Sequence, residues 1–193
     1  MDAMEKVENT LPFFCFMAVS FLLTRFVSGD IIASRRQVGE RKRSGEWIMI
    51  RKFEKNDIDR VAELWLETNI CAHDFISEMY WKDNFDMVKE LFVQAEIYVY
   101  EDAHDIQGFV GLDGNYIAGI FVSEKMQSGG IGRQLLDYVK SIRKSLSLKV
   151  YRKNIRAVKF YQREKFQIQN EGTDADTGEK EYLMTWRSEE HSG

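Results

Sequence analysis

The stretch "MQSGGIGRQLLDYVK", Met126 to Lys140, puts Gly129, Gly130 and Gly132 directly before a segment with helical spacing. Ile131, Leu135, Leu136, Val139 and, just past the quoted stretch, Ile142 fall on one face of that helix. Glycine is costly inside a helix, because it loses the most backbone freedom and adds no packing. A bare backbone at a helix start suits an anion: free amides and the helix dipole favour negative charge, and glycines let its oxygens approach. The stretch is not a Walker P-loop, because no Gly-Lys-Ser/Thr follows. It is not a dinucleotide fingerprint either, since Leu135 stands where a third glycine would fall and no early βαβ unit surrounds it. Taken alone, such a turn reads equally well as a plain helix entry, so the neighbouring elements decide.

Working outward, the elements are legible from Met49 onward. "IMIRKF" alternates as a strand. Asn56-Asp57 offers an N-cap, and Ile58, Val61, Leu64, Trp65 and Ile70 follow at helical spacing. A second helix is expected over Ile76–Val93. Three β-type runs come next, "IYVYED", "IQGFVGL" and "YIAGIFVS", the last two joined by the hairpin signal Asp113-Gly114-Asn115. After the glycine loop and its helix, "LSLKVY" reads as a strand and "NIRAVKFYQREKF" as a helix ending near Lys165. "FQIQNEG" and "EYLMTWR" close the chain as two strands around a polar turn. The order β-α-α-β-β-β-α-β-α-β-β predicts an α+β domain with a mixed, mostly antiparallel sheet flanked by helices.

Two motifs on these elements resemble the GNAT N-acetyltransferase superfamily. "QSGGIGR", Gln127–Arg133, resembles its (Gln/Arg)-x-x-Gly-x-(Gly/Ala) signature. "YRKNIRAVKFYQREKFQI" resembles its second motif, in which Asn precedes a helix carrying Ala-x-x-Phe-Tyr. The resemblance covers about 49–187 and is closest to the small bacterial YiaC/YjaB-type acetyltransferases, through "ELWLETNICAHDFI", Tyr80-Trp81 and the "GIFV" strand. Lys165 departs from it, standing where the superfamily usually has Gly before Phe166; this alters a helix C-cap.

The resemblance implies acetyl-CoA as donor and a primary amine as acceptor: a protein lysine, a peptide N-terminus or a small amine. It assigns Gln127 to the CoA-binding loop, and the amides of Ser128, Gly129, Gly130, Ile131, Gly132 and Arg133 to the CoA pyrophosphate. Phe121 and Val122 are assigned to the pantetheine arm, which mimics a β-strand, and Asn154 contacts the same arm. Tyr161 takes the position of the acid that protonates the departing thiolate. A lysine amine must lose its proton before attack, which near pH 7 costs roughly 4–5 kcal/mol from an ordinary pKa of about 10.4. "YIAGIFVS" carries no carboxylate to accept that proton. Glu67, His73, Asp74 and Phe75 lie where the acceptor should arrive, and His73 titrates nearest neutrality. Each residue also has a plainer reading: Tyr161 as a packed aromatic, Asn154 as a helix N-cap, His73 as polar surface. An acyl-CoA-binding module with little turnover is therefore the alternative to an enzyme.

Composition sets outer bounds. The 193 residues suffice for one domain, and 44% hydrophobic with 30% charged residues fits a globular protein. Cys15 and Cys71 show no ligand or CxxC spacing, which argues against a zinc site or a disulfide framework and for a reducing, cytoplasmic setting. Between Lys140 and Lys165, ten basic residues stand against one acid, in a chain of net charge −4. That patch is either a solvated face or the seat of a small anionic ligand; nucleic acid is not expected. No metal is expected. Residues 1–48 read as a separate N-terminal extension, and 49–190 as the catalytic domain. "LPFFCFMAVSFLL" (Leu11–Leu23) is short for a membrane span and lacks the positive start of a secretory signal. The extension is read as leader upstream of an initiator at Met49, as a weak anchor, or as a disordered tail.

Overall fold

The computed structural model describes residues 38–41, 47–103 and 105–189. Eight strands form one sheet: β1 (Val38–Arg41), β2 (Trp47–Lys52), β3 (Glu96–Glu101), β4 (Ile106–Asp113), β5 (Tyr116–Val122), β6 (Ser145–Tyr151), β7 (Gln167–Thr173) and β8 (Lys180–Arg187). Their order is β1-β2-β3-β4-β5-β6-β8-β7. Every neighbouring pair is antiparallel except β5–β6, which is parallel. Helices α1 (Ile58–Ala72), α2 (Glu78–Asp83), α3 (Phe85–Phe92), α4 (Ile131–Ile142) and α5 (Ile155–Arg163) flank it. The expected α+β architecture, a mixed and mostly antiparallel sheet, is the one found.

Two elements differ from expectation. β1 pairs with β2 from Val38↔Ile50 to Arg41↔Trp47 and extends the sheet by one edge strand. The apolar run Leu11–Leu23 lies outside the described residues. The expected helix Ile76–Val93 is two helices, broken at Asn84. The Asn84 Nδ2 donates to the Tyr80 carbonyl at 2.7 Å, taking the acceptor that a continuing helix would offer its own backbone. Short amides compete with helical hydrogen bonds in this way, and apolar periodicity does not register it. Among the described residues, no helix is long and apolar enough to cross a membrane.

Strand alternation divides the interior into two cores. On β3, Ile97 and Val99 face one side with Val61, Leu64, Trp65 and Trp81 of α1 and α2. Tyr98 and Tyr100 face the other, with Leu135, Leu136 and Val139 of α4. Leu135 and Leu136 are fully buried, and burying each contributes about 1.5–3 kcal/mol.

Two features of β5 prepare the site. Its register against β4 shifts, so Gly111 pairs with Gly119 and Leu112 with Ile117, leaving Ala118 between them. That bulge reverses the facing of the strand: Ile117 joins the α4-side core, whereas Phe121 joins the α1-side core. Second, β5 and β6 pair only at Tyr116↔Ser147 and Ile117↔Leu148. Beyond those rungs they part, and the β6-facing edge of residues 118–122 has no strand partner among the described residues.

The C-terminus of α5 shows what Lys165 does. Phe166 N–H donates to the Tyr161 carbonyl at 2.9 Å, and Lys165 N–H to the Gln162 carbonyl at 3.0 Å. This is a Schellman cap, with Lys165 left-handed at φ 67°. A side chain there is strained. Lys165→Gly is expected to raise stability by about 0.5–1 kcal/mol, seen as a higher Tm without change in activity.

Candidate functional site

Where β5 and β6 part, a cavity of about 150 Å³ opens between α1, α2, α5 and the two strands. Phe121 and Gly119 line it from β5, Lys149 and Tyr151 from β6, Asn154, Ala157 and Tyr161 from α5 and the residue before it. Asn69, His73 and Trp81 line it from α1, the turn after it and α2. Phe121 stacks on Phe109 with ring centroids 4.6 Å apart. Its ring lies so close over Gly119 that a Cβ there would sit 2.5 Å from it. The glycine of "GIFV" thus exists to let Phe121 fold back along its own strand.

The glycine loop enters α4 at Gly130, whose φ of 88° is left-handed and suits glycine. No side chain caps this helix. The first-turn amides of Ile131, Gly132 and Arg133 therefore form an anion-favouring end without a built-in carboxylate or hydroxyl acceptor. Gln127 and Ser128 hold the loop in place. Gln127 Nε2 donates to the Val122 carbonyl at 3.1 Å. Arg156, in the first turn of α5, donates to Gln127 Oε1 at 2.6 Å and to Ser128 Oγ at 3.2 Å. One guanidinium thus ties the loop to α5, and Gln127 ties it to the end of β5.

The stretch from Lys140 to Lys165 does not present one anion-facing patch. Lys140 donates to the Glu164 carbonyl and lies over the rings of Phe166 and Trp186. Arg143 pairs with Glu96, Lys149 with Glu181, Arg152 with Glu171 and Lys153 with Glu179. Those acids arrive from β3, β7, β8 and the turn between the last two, so a charge count along the segment could not see them. Arg156 is the member that reaches the glycine loop.

Tyr161 is buried yet lines the cavity. Its ring packs edge-on against Phe160 and Phe166, as a packed aromatic would. Burial, with Tyr116 nearby, pushes its phenol above the ordinary value near 10 and keeps it protonated. Asn154 likewise combines two roles. Its Oδ1 accepts from Ala157 N–H at 3.0 Å as the α5 N-cap, and its Nδ2 lies 3.3 Å from His73 Nε2.

His73 sits inside the wall, with its ring edge-on to Phe75 and Tyr151 and 5.4 Å from that of Trp81. Burial pushes it down to about 4, so it is neutral at pH 7. Because an amide N–H donates to Nε2, that nitrogen carries the lone pair and Nδ1 the proton. Phe75 stands behind His73. Glu67 and Asp74 are exposed and do not line the cavity; Asn69, one turn from His73, faces it instead. Two carboxylates that the sequence did not suggest reach the cavity from elsewhere: Asp174, in the β7–β8 turn, and Glu181, on β8. Only the pairing of Tyr151 with Glu181 across β6 and β8 brings the second of these near the α5 residues.

A family model described as "Acetyltransferase (GNAT) domain" matches residues 94–168. The chain is 34% identical over 140 residues to the peptidyl-lysine N-acetyltransferase YiaC of Escherichia coli, covering 72% of this chain and 96% of that protein. Its structure is similar to that of apo-form YjaB from E. coli, with TM-score 0.66 at 22% identity, over 72% of this chain and 97% of that one. It is also similar to the PaiA N-acetyltransferase from Thermoplasma acidophilum in complex with coenzyme A, with TM-score 0.62 at 20% identity, over 73% and 99%.

Proposed function

The chain belongs to the GNAT family of N-acetyltransferases, enzymes of acyl transfer, and on that premise we propose that it moves an acetyl group from acetyl-CoA to a primary amine. The observation that carries this reading is the parting of β5 from β6 beside an uncapped helix N-terminus. An extended arm can add to the open edge of residues 118–122 as a strand would, while the diphosphate at its far end meets the amides of residues 128–133. The names of two relatives favour a protein lysine as acceptor: YiaC and YjaB are both called peptidyl-lysine N-acetyltransferases. The domain that does this is assigned to residues 49–190.

In this reading the amine attacks the thioester carbonyl directly; the C–N bond forms, the C–S bond breaks, and CoA leaves as the thiol. The β5 backbone supplies a donor to the charge developing on the carbonyl oxygen. Tyr161 supplies the proton for the sulfur and is restored by the proton that the amine nitrogen loses as the amide forms, relayed through solvent; Phe121 and Trp81 keep bulk water from the thioester. Asn154 and Ala157 border the same space from α5. The deciding experiment follows CoA release by the full chain with acetyl-CoA and a panel of lysine peptides and small amines. Release that depends on the amine supports transfer; saturable acetyl-CoA binding without release with any amine supports a binding module instead.

The loop geometry carries its own prediction. Arg156→Ala removes the tie between Gln127, Ser128 and α5 at an exposed site. Acetyl-CoA Kd is expected to rise about fivefold to tenfold, since preorganising a binding loop is worth roughly 1 kcal/mol or more, with little change in Tm. Isothermal titration checks it.

A further inference from the structure

Asp174 and Glu181 are 3% and 4% exposed, yet both line the cavity. Asp174 has a visible structural duty: its Oδ1 accepts from the N–H groups of Asp176 and Thr177 and from Thr177 Oγ1, which builds the β7–β8 turn. Glu181 has no such duty. Its Oε1 meets Lys149 Nζ at 2.6 Å, and Lys149 lines the same cavity. An ion pair on a sheet, with the carboxylate buried and the lysine partly exposed, adds little net stability, so packing does not account for it. Among the lining residues, one lysine stands against two carboxylates, a formal charge of −1, and His73 is neutral. The walls beside them are aromatic: Tyr80, Trp81, Tyr116 and Tyr151. Aromatic faces around a carboxylate suit an alkyl chain ending in a cation.

Resting on the transfer reaction proposed above, we propose that Glu181 binds the acceptor's ammonium group, which displaces Lys149 from it as the acceptor enters. The acceptor is then a monocationic alkyl amine, such as a lysine side chain within a peptide. A zwitterionic free amino acid would bring a carboxylate into a site that already holds two, and it is disfavoured.

The test measures CoA release by the full chain at saturating acetyl-CoA, against an N-acetylated, C-amidated lysine peptide and against free alanine. Glu181→Gln is expected to raise KM for the lysine peptide roughly tenfold or more, as for loss of one partner from a buried charge contact, with acetyl-CoA Kd unchanged. Lys149→Met removes the competing cation and is expected to lower that KM, the opposite direction. The double variant is expected to behave like Glu181→Gln. An unchanged KM in Glu181→Gln overturns the proposal. So does an unchanged or raised KM in Lys149→Met, the mark of a structural strut, or better use of alanine than of the peptide. If Glu181→Gln does not fold, the direction of the Lys149→Met change decides. Acetyl-CoA-binding protein that releases no CoA with any amine would overturn the transfer reading itself and this one with it. Turnover with an unmoved KM would overturn this one alone.

Discussion

Tyr161→Phe is expected to lower kcat by about a hundredfold or more while leaving acetyl-CoA Kd and Tm nearly unchanged, the size usual for loss of a positioned general acid. The substitution removes one oxygen atom. The ring keeps its edge-on contacts with Phe160 and Phe166, and no large cavity opens, so packing survives. What is lost is a hydroxyl in the wall of the cavity that burial keeps protonated. A CoA thiolate is a fair leaving group, with a thiol pKa near 8.5, so a donor beside the sulfur matters most when departure limits the rate. Because the phenol's titration lies above the ordinary tyrosine range, the loss should be uniform from neutral to mildly alkaline pH. Initial rates of CoA release, set beside a thermal melt, check this. A kcat within about threefold of the unaltered chain would make Tyr161 a packing residue only.

The second large effect concerns stability in acid. Burial pushes His73 down to about 4, against 6.5 for a free imidazole. The unfolded chain therefore binds a proton between these values that the folded chain refuses. This contribution is fully present above about pH 6.5 and is lost as pH falls toward 4, about 3 kcal/mol in all. Between pH 7 and 5 the loss is about 2 kcal/mol. Carboxylates add their own slopes, so the measurement is a difference. His73→Gln keeps an acceptor for Asn154 Nδ2 but cannot be protonated. Urea unfolding at pH 7 and pH 5 should show a smaller fall in the variant than in the unaltered chain, by roughly those 2 kcal/mol. Parallel pH dependence in the two proteins would contradict the burial argument. The same burial keeps His73 neutral at pH 7, with its Nε2 beside Asn154 Nδ2.

Local pattern determined much of this protein. Local pattern placed seven of the eight strands, β2 by its alternation and the others as short strand-type runs between turns and helices. Helical spacing placed α1, α4 and α5. The glycine loop was legible because a left-handed residue and an uncapped helix start leave a compositional trace: Gly130 takes φ 88°. Tyr161 and Asn154 were legible through the motif that contains them. The break at Asn84 was not, since it turns on one amide and one carbonyl rather than on any period.

Long-range pairing decided the rest. The basic stretch from Lys140 to Lys165 gains its partners from strands far away in sequence, so its charge is mostly spent within the fold. Glu67, late in α1, and Asp74, in the turn after it, are exposed, because the α1 face that meets the sheet carries Leu64, Trp65, Thr68 and Asn69. The carboxylates that do reach the cavity lie more than a hundred residues from His73 in the chain. They arrive because β8 inserts between β6 and β7 and sets Glu181 opposite Tyr151. A motif records which residues stand close along the chain. The cavity is bounded by residues that the order of strands brings together, and that order is set by which faces must be buried across the whole sheet.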